Sequence, residues 1–512
     1  MQPGVRVVGD RAPQPGRHRR WLAAAVGFGL VALPACGLRV SGSTVHAATQ
    51  AAVGTGGGPS GLGAGVTGQA AGNSTGTTLA GGVSGPISSG SGPANAVGSS
   101  PGSGPGGSNA STSGPTGANN VSAAAPAGGN GGPTDVGVTA DTITIGNVSD
   151  LGGPVPGLFQ GGPYGTQAYI NYVNSQGGIY GRKLKLVTAD DQLQCSQNEA
   201  DYQNLINQVF AFVGSWSLDD YCGAQILAQH PGIPVINQAL SIQAMHLPGS
   251  YNEAPYNAGA ILGYFEYFKA KFPDAITSVG TIVGNQPAAV QSWDYYKAAM
   301  QSIGYKVIYE DDFPPAQSNF TADVIRMRSA GVKMVFIIAV NAPDLAAFSQ
   351  EAYQQGFKPE VFVAPVGYFG SYVSEAGGPA AVEGQYVPST QAMFLGEDAA
   401  TVPEVATFDH WIKSAFPSFA IDQFSATSWA NTALFVQALK MAGPHLTRQG
   451  LLTALSQIHI FNDYGMMTPT DISSKQSSIC YLLLQIKGGK YVKVDDPSTG
   501  FRCDGSYYNF KG

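Results

Sequence analysis

Residues 170–192 read INYVNSQGGIYGRKLKLVTADDQ, and they contain a complete change of backbone period. Upstream, Tyr164, Ala168, Tyr172 and Ser175 recur every three or four positions, the spacing of a helix face. Gly177 and Gly178 stop that helix, because glycine supplies the left-handed turn that ends one at no steric cost. Gly181 turns the chain, and LKLVTAD (184–190) resumes as a strand that ends on Asp190 and Asp191. Ahead of the helix, TITIGNV (142–148) is a strand as well, so the stretch is a strand–helix–strand unit.

The unit repeats. A helix over 196–208, with Ser196 as N-cap, leads to strand 209–214, and a helix over 219–229 leads to strand 233–237. Helices over 256–271, 287–303 and 319–330 precede strands 277–284, 306–311 and 332–340. The last, VKMVFIIAV, is apolar throughout, as a strand covered on both faces requires. Strict alternation implies parallel sheets with right-handed crossovers and helices on both faces. The fold class expected is α/β, with two doubly wound parallel-sheet lobes, since the residues after 134 are too many for one sheet. Ligands of such sheets bind beyond the carboxyl ends of the strands, which singles out the loops 149–156, 215–220, 237–243, 285–287, 341–344 and 364–369.

The rest of the 512 residues has another composition. Residues 36–134 are rich in Gly, Ser, Ala, Thr and Pro and offer too little apolar surface to offset the entropy of folding, so they form a flexible linker. As a coil it reaches about 50–60 Å r.m.s.. Before it, Arg17, Arg19 and Arg20 precede an apolar run from Trp21 to Leu33, too short to span a bilayer comfortably. Residues 1–35 therefore read as an export signal, with the Arg19-Arg20 pair leaving twin-arginine export open. Leu33-Pro34-Ala35-Cys36 resembles the lipobox of bacterial lipoproteins, with Pro34 as a departure, and that resemblance implies acylation at Cys36 and an anchor on the outer face of the cell membrane.

The chain carries a net charge of −7, and its first 35 residues hold five arginines against one aspartate, so the remainder is more acidic still. No basic patch with interleaved aromatics occurs, which argues against a nucleic acid partner. With Cys36 set aside, four cysteines remain, and in an exported protein local pairing, Cys195 with Cys222 and Cys480 with Cys503, is the simplest arrangement. No cysteine–histidine cluster has metal spacing, so neither metal nor cofactor is expected. GNSTG (72–76), GSSPG (98–102) and GSGPGG (102–107) match nucleophile and dinucleotide patterns, but they lie in the Gly/Ser tract without flanking strand and helix. The reading is a binder rather than an enzyme.

Taken together, TITIGNVSDLGGPV, the N-x-x-GGI-x-G-R-K-L marker with its following Asp pair, and the positions of Cys195 and Cys222 resemble the extracellular solute-binding proteins of branched-chain-amino-acid-type ABC transporters. The resemblance implies a type I periplasmic binding fold: a solute-binding domain over 135–512, with lobe 1 at about 141–255 and 388–460, lobe 2 at about 256–387 and 461–512, and a hinge that closes on the ligand. It also implies the Cys195–Cys222 disulfide and, as partners, a small-molecule ligand and an ABC permease in the membrane, with the binder itself monomeric. A tethered ligand-sensing receptor of the same fold is the alternative.

Family members hold the carboxylate of an amino acid with hydroxyls and backbone N–H groups after the third and fourth strands. Carried over, this implies Ser215, Trp216 and Ser217, then Ala239, Leu240 and Ser241, as ligand contacts, although each serine serves equally well as a helix cap. Asp219 and Asp220, which would repel such a carboxylate, are expected to face solvent. In lobe 2 the acid that pairs with the ligand's ammonium group is replaced by Val366 in APVGYFG. Asn285, Asn341, Val366 and Tyr368 then complete the candidate contacts, and an uncharged, amide-bearing or aromatic solute suits them better than an α-amino acid.

Overall fold

In the computed structural model, residues 121–252, 258–315 and 317–511 are described. The export signal, Cys36 and linker residues 36–120 lie outside them. Two sheets carry the architecture. The first is built from β1 (Thr142–Ser149), β2 (Lys183–Asp190), β3 (Ala211–Val213) and β4 (Val235–Ile236), all parallel, in the order β2-β1-β3-β4. Ile143, Ile145 and Val148 of β1 are fully buried, as befits a central strand. The second contains β6 (Val279–Gly284), β7 (Val307–Phe313), β8 (Met334–Phe336), β9 (Val361–Val363), β10 (Tyr386–Ser389), β11 (Leu482–Lys487) and β12 (Lys490–Lys493), in the order β12-β11-β10-β9-β8-β6-β7. A small ribbon pairs β5 (Gly259–Ile261) with β13 (Tyr507–Asn509).

This is the expected two-lobed α/β arrangement, with one departure. β11 runs antiparallel to both of its neighbours, β10 and β12, so the second sheet is not parallel throughout. The turn Lys487–Lys490 joins β11 to β12 as a hairpin with both glycines at positive φ, a connection too short for any crossover. The polypeptide after 461 thus returns to the second sheet, while helices Pro403–Ala415, Gln423–Ala442 and Arg448–Leu455 cover the first lobe.

Several local details differ from the sequence expectations. Residues 121–134, counted above in the linker, lie on the folded domain: Val121 is buried, Ala123 exchanges backbone hydrogen bonds with Gly178 and Tyr180, and the buried Arg182 guanidinium donates to the carbonyls of Asn130 and Gly132. Their poverty in apolar side chains is offset by these backbone bonds. The helix expected over 196–208 spans Cys195–Leu205 with Gln194 at the N-cap, so Ser196 is inside it. The expected strand 332–340 is shorter, Met334–Phe336, and Ile338, Ala339, Val340 and Asn341 after it line the cleft.

Helix Gly161–Ser175 packs on helix Gln423–Ala442 at backbone distance. A Cβ on Gly165 would sit 2.0 Å from the Ser425 carbonyl oxygen. The second helix is fixed at its start by a capping box, in which the Asp422 carboxylate accepts from the Ser425 N–H at 2.7 Å. Both expected disulfides are present, Cys195–Cys222 and Cys480–Cys503.

In the opening stretch, Gly178 has φ +81°, and a Cβ there would lie 2.1 Å from the Arg182 carbonyl oxygen. Gly178→Ala therefore costs about 1–3 kcal/mol through strain and the shifted turn, measurable as a lower midpoint in urea. An unchanged midpoint would show that the turn relaxes freely.

Candidate functional site

Each sheet reverses its winding at one place. In the first, β2 lies on one side of β1 and β3 on the other, so the loops leaving β1 and β3 part and leave a crevice. In the second the same happens between β6 and β8. A cavity of about 300 Å³ opens at these two crevices and is walled by both lobes.

Lobe 1 contributes an aromatic wall. Phe159, Trp216 and Phe424 are buried and mutually packed, with ring centroids 4.8–5.6 Å apart, and Leu158 joins them. The Trp216 ring is locked by its indole N–H, which donates to Ser428 Oγ at 3.0 Å, and that hydroxyl donates to the Gly214 carbonyl at 2.9 Å. Lobe 2 contributes Gln286, Ile338, Val340, Asn341, Asp344 and Val366.

Of the residues carried over from the family resemblance, Trp216, Ala239, Leu240, Asn341 and Val366 line this cavity. Ser215, Ser217, Ser241, Asn285 and Tyr368 do not. Ser215 is buried, its Oγ accepting from the Val148 N–H. Ser217 is buried among Asn198, Asp219 and Asp150. Ser241 is a helix cap, accepting from the Ala244 N–H. Asn285 is exposed. The Tyr368 hydroxyl donates to Glu397 at 2.8 Å and its ring packs on Phe394 and Tyr491, which pins the segment crossing between lobes.

The expected exposure of Asp219 and Asp220 is also overturned, for both are buried. The backbone N–H groups of the loops after β3 and β4 are taken by the protein's own side chains. Asp150 accepts from the Leu218 N–H at 2.8 Å, and Asp220 accepts from the N–H groups of Leu240 at 2.6 Å and Ser241 at 3.1 Å. The Trp216 N–H is taken by Ser149 Oγ, and that of Ser215 by Asn237 Oδ1. Burial, then the neighbouring Asp191 carboxyl, push Asp150 well above the usual carboxylate range. Burial pushes Asp219 and Asp220 up to about 6, although in Asp220 the hydrogen bonds from Ser241 and Leu240 oppose the rise.

Asp344 is the one charged residue among those lining the cavity. It stands in the first turn of helix Ala342–Gln354, where its N–H donates to Asn341 Oδ1 at 2.7 Å. Burial raises its carboxyl to about 7 against a hydrogen bond from Asn341. Cys195, Glu199 and Cys222 are the only grouping of metal-ligating types among the described residues, and the two sulfurs are already joined as a disulfide.

The profile of the periplasmic binding protein family matches residues 142–490. A Leu/Ile/Val-binding protein homolog of Brucella melitensis is 21% identical over 69% of this chain and 91% of its own. An amino acid binding protein of Pseudomonas aeruginosa is 23% identical over 45% of this chain and 61% of its own. Among solved structures, a fatty acid ABC transporter substrate-binding protein from Thermomonospora curvata superposes with TM-score 0.59 at 21% identity, covering 73% of this chain and 95% of its own. A branched-chain amino acid ABC transporter protein from Thermus thermophilus, solved with bound valine, gives 0.58 at 17% identity over 70% and 96%. At such identities the structural likenesses establish the fold.

The raised carboxyls set a pH dependence. Between the ordinary carboxylate range and about pH 7, folded Asp344 holds a proton that the unfolded chain releases, so the stabilisation is fully present at acid pH and is lost as pH rises through 7. Tm is therefore higher at pH 5 than at pH 7.5, and Asp344→Asn narrows the difference by the equivalent of a few kcal/mol at most. An identical pH difference in the variant would remove Asp344 as a source.

Proposed function

The chain belongs to the periplasmic binding protein family, and we propose that it is an exported, lipid-tethered solute-binding protein that captures a mainly apolar, uncharged solute by closing its lobes and hands it to an ABC permease. The family is one of substrate-binding proteins, and the chain itself carries out no catalysis in this reading. The paired disulfides fit an oxidising compartment outside the cytoplasm.

The observation that carries the choice of solute is the occupation of the backbone donors of lobe 1 by Asp150 and Asp220. A ligand carboxylate would have to displace a carboxyl group that already holds these donors, and beside an ionised Asp220 it would also set two buried like charges together at a cost of several kcal/mol. At the other end Val366 offers an ammonium group nothing. What the lobes present to a ligand is the Phe159, Trp216 and Phe424 wall facing Ile338, Val340 and Val366, with no Lys, Arg or His among the lining residues. Burial of apolar area supplies about 25 cal/mol per Å², which is ample to hold the lobes closed.

Because Trp216 lines the cavity, indole fluorescence together with thermal shift reads binding directly. Leucine, isoleucine and valine leave Tm unchanged at millimolar concentration, whereas uncharged apolar solutes such as medium-chain alcohols raise it saturably. A saturable shift with leucine would overturn the choice of solute.

The tether is a separate matter, since Cys36 lies outside the described residues. Cells expressing the full chain incorporate radioactive palmitate into it, and Cys36→Ala abolishes the label and releases the protein to the medium. Retained label in that variant would refute anchoring at Cys36.

A further inference from the structure

The cavity does not end between the lobes. Past Gln286 its wall continues into the second lobe, where Ile261, Tyr264, Ser292, Tyr296, Tyr481 and Tyr507 enclose it. We propose that this extension is a distinct compartment of the binding site that takes an unbranched hydrocarbon chain, so that the solute is a long-chain amphiphile with a small uncharged head group left between the lobes. The proposal rests on the reading of the protein as a binder of apolar solutes, and it adds the shape of the solute and the place of its tail.

Three features of the wall point to a chain. The tyrosine hydroxyls face partners within the protein: those of Tyr264 and Tyr296 face each other, that of Tyr507 faces Ser477, Tyr481 donates to Asp495 at 3.3 Å, and Tyr295, beside them, bonds with Ser292 Oγ at 2.8 Å. A buried hydroxyl already paired asks nothing of a ligand, so what the compartment offers is ring faces. These rings are held against further aromatics, Tyr264 edge-on to Tyr481 with centroids 5.9 Å apart and Tyr296 tilted on Phe336 at 6.1 Å, so the wall is stiff. No ionisable group apart from these tyrosines lines this part of the cavity, since Asp344 belongs to the first turn of helix Ala342–Gln354, among the residues lobe 2 presents between the lobes.

The entrance is kept open by small side chains. Helix Pro287–Ser302 turns Ala288, Ala289 and Ser292 to the cavity, one face of its first two turns. The far side is stapled, because the Cys480–Cys503 disulfide joins the segment carrying Ser477, Ser478 and Tyr481 to the segment leading into β13 and Tyr507. A passage of this kind admits a single extended chain, and each methylene buried in it adds about fourfold to affinity.

The test uses the purified mature protein and 1-alkanols from hexanol to hexadecanol, titrated by the fluorescence of Trp216, with wild type compared to Ser292→Phe and Ala289→Leu. In the wild type, affinity climbs by about fourfold per methylene until the compartment is full. In Ser292→Phe the climb stops at a shorter chain, and the ratio of long-chain to short-chain affinity falls at least tenfold. Ala289→Leu narrows the same entrance from the preceding turn, and its lowered ratio is the readout should the phenylalanine variant not fold. Affinity independent of chain length in the wild type, or an unchanged ratio in the folded variants, overturns the compartment while leaving an apolar interlobe site standing. If no alkanol binds the wild type, the underlying reading fails and this one with it.

Discussion

A parallel sheet wound outward from a middle strand cannot cover every strand end. Where the first crossover goes one way and the next goes the other, two loops diverge and leave a crevice at the carboxyl edge. Both sheets of this protein have such a point, between β1 and β3 and between β6 and β8, and the two crevices meet. Everything that gives the cleft its character follows from which side chains those loops bring there. Asn147 and Ser149 tie the end of β1 to β3 and to Trp216, so that the aromatic wall has a fixed base.

That base also shows how the family frame is retained while the N–H groups of these loops are engaged from within the chain. Asp150 follows β1 directly and Asp220 opens helix Asp220–Ala228, so each carboxylate lies beside the N–H groups freed by its neighbouring loop. A helix N-terminus and a tight loop attract an anion from any source. Here the donors are held by carboxyl groups that are covalently part of the chain, and a local concentration of that kind leaves little opening to a dissolved competitor.

The fold was legible because its signals are periodic. The β1–helix–β2 unit is marked by Gly177, Gly178 and Gly181 and by apolar spacing, and the element starts agree within a few residues. The antiparallel end of the second sheet was not, because β11 and β12 lie beyond a long helical stretch and nothing local tells which edge they join. For the cleft, Trp216, Leu240 and Val366 could be placed by position after their strands, whereas Ser217 and Tyr368 point elsewhere. Loop residues have no period, so the direction of a side chain there depends on tertiary partners such as Asp150 and Glu397. Tyr264, Tyr295 and Tyr296 went unread for the opposite reason: on helices they fit a core face, and only the packing of three segments leaves a space beside them. The burial of Asp219 and Asp220 ran against the usual preference of adjacent acids for water, and its compensation came from backbone donors invisible in a linear string.

The aromatic wall has a consequence for selectivity. A site built on directed hydrogen bonds rejects a ligand that lacks one matching group by several orders of magnitude, whereas a wall of rings distinguishes solutes by little more than 0.8 kcal/mol per methylene. With its donors already engaged, the Phe159, Trp216 and Phe424 face ranks solutes on a smooth scale instead of accepting one and refusing the rest. In the proposed reading, such a protein behaves as a scavenger whose cargo at any moment mirrors the mixture of apolar solutes around it.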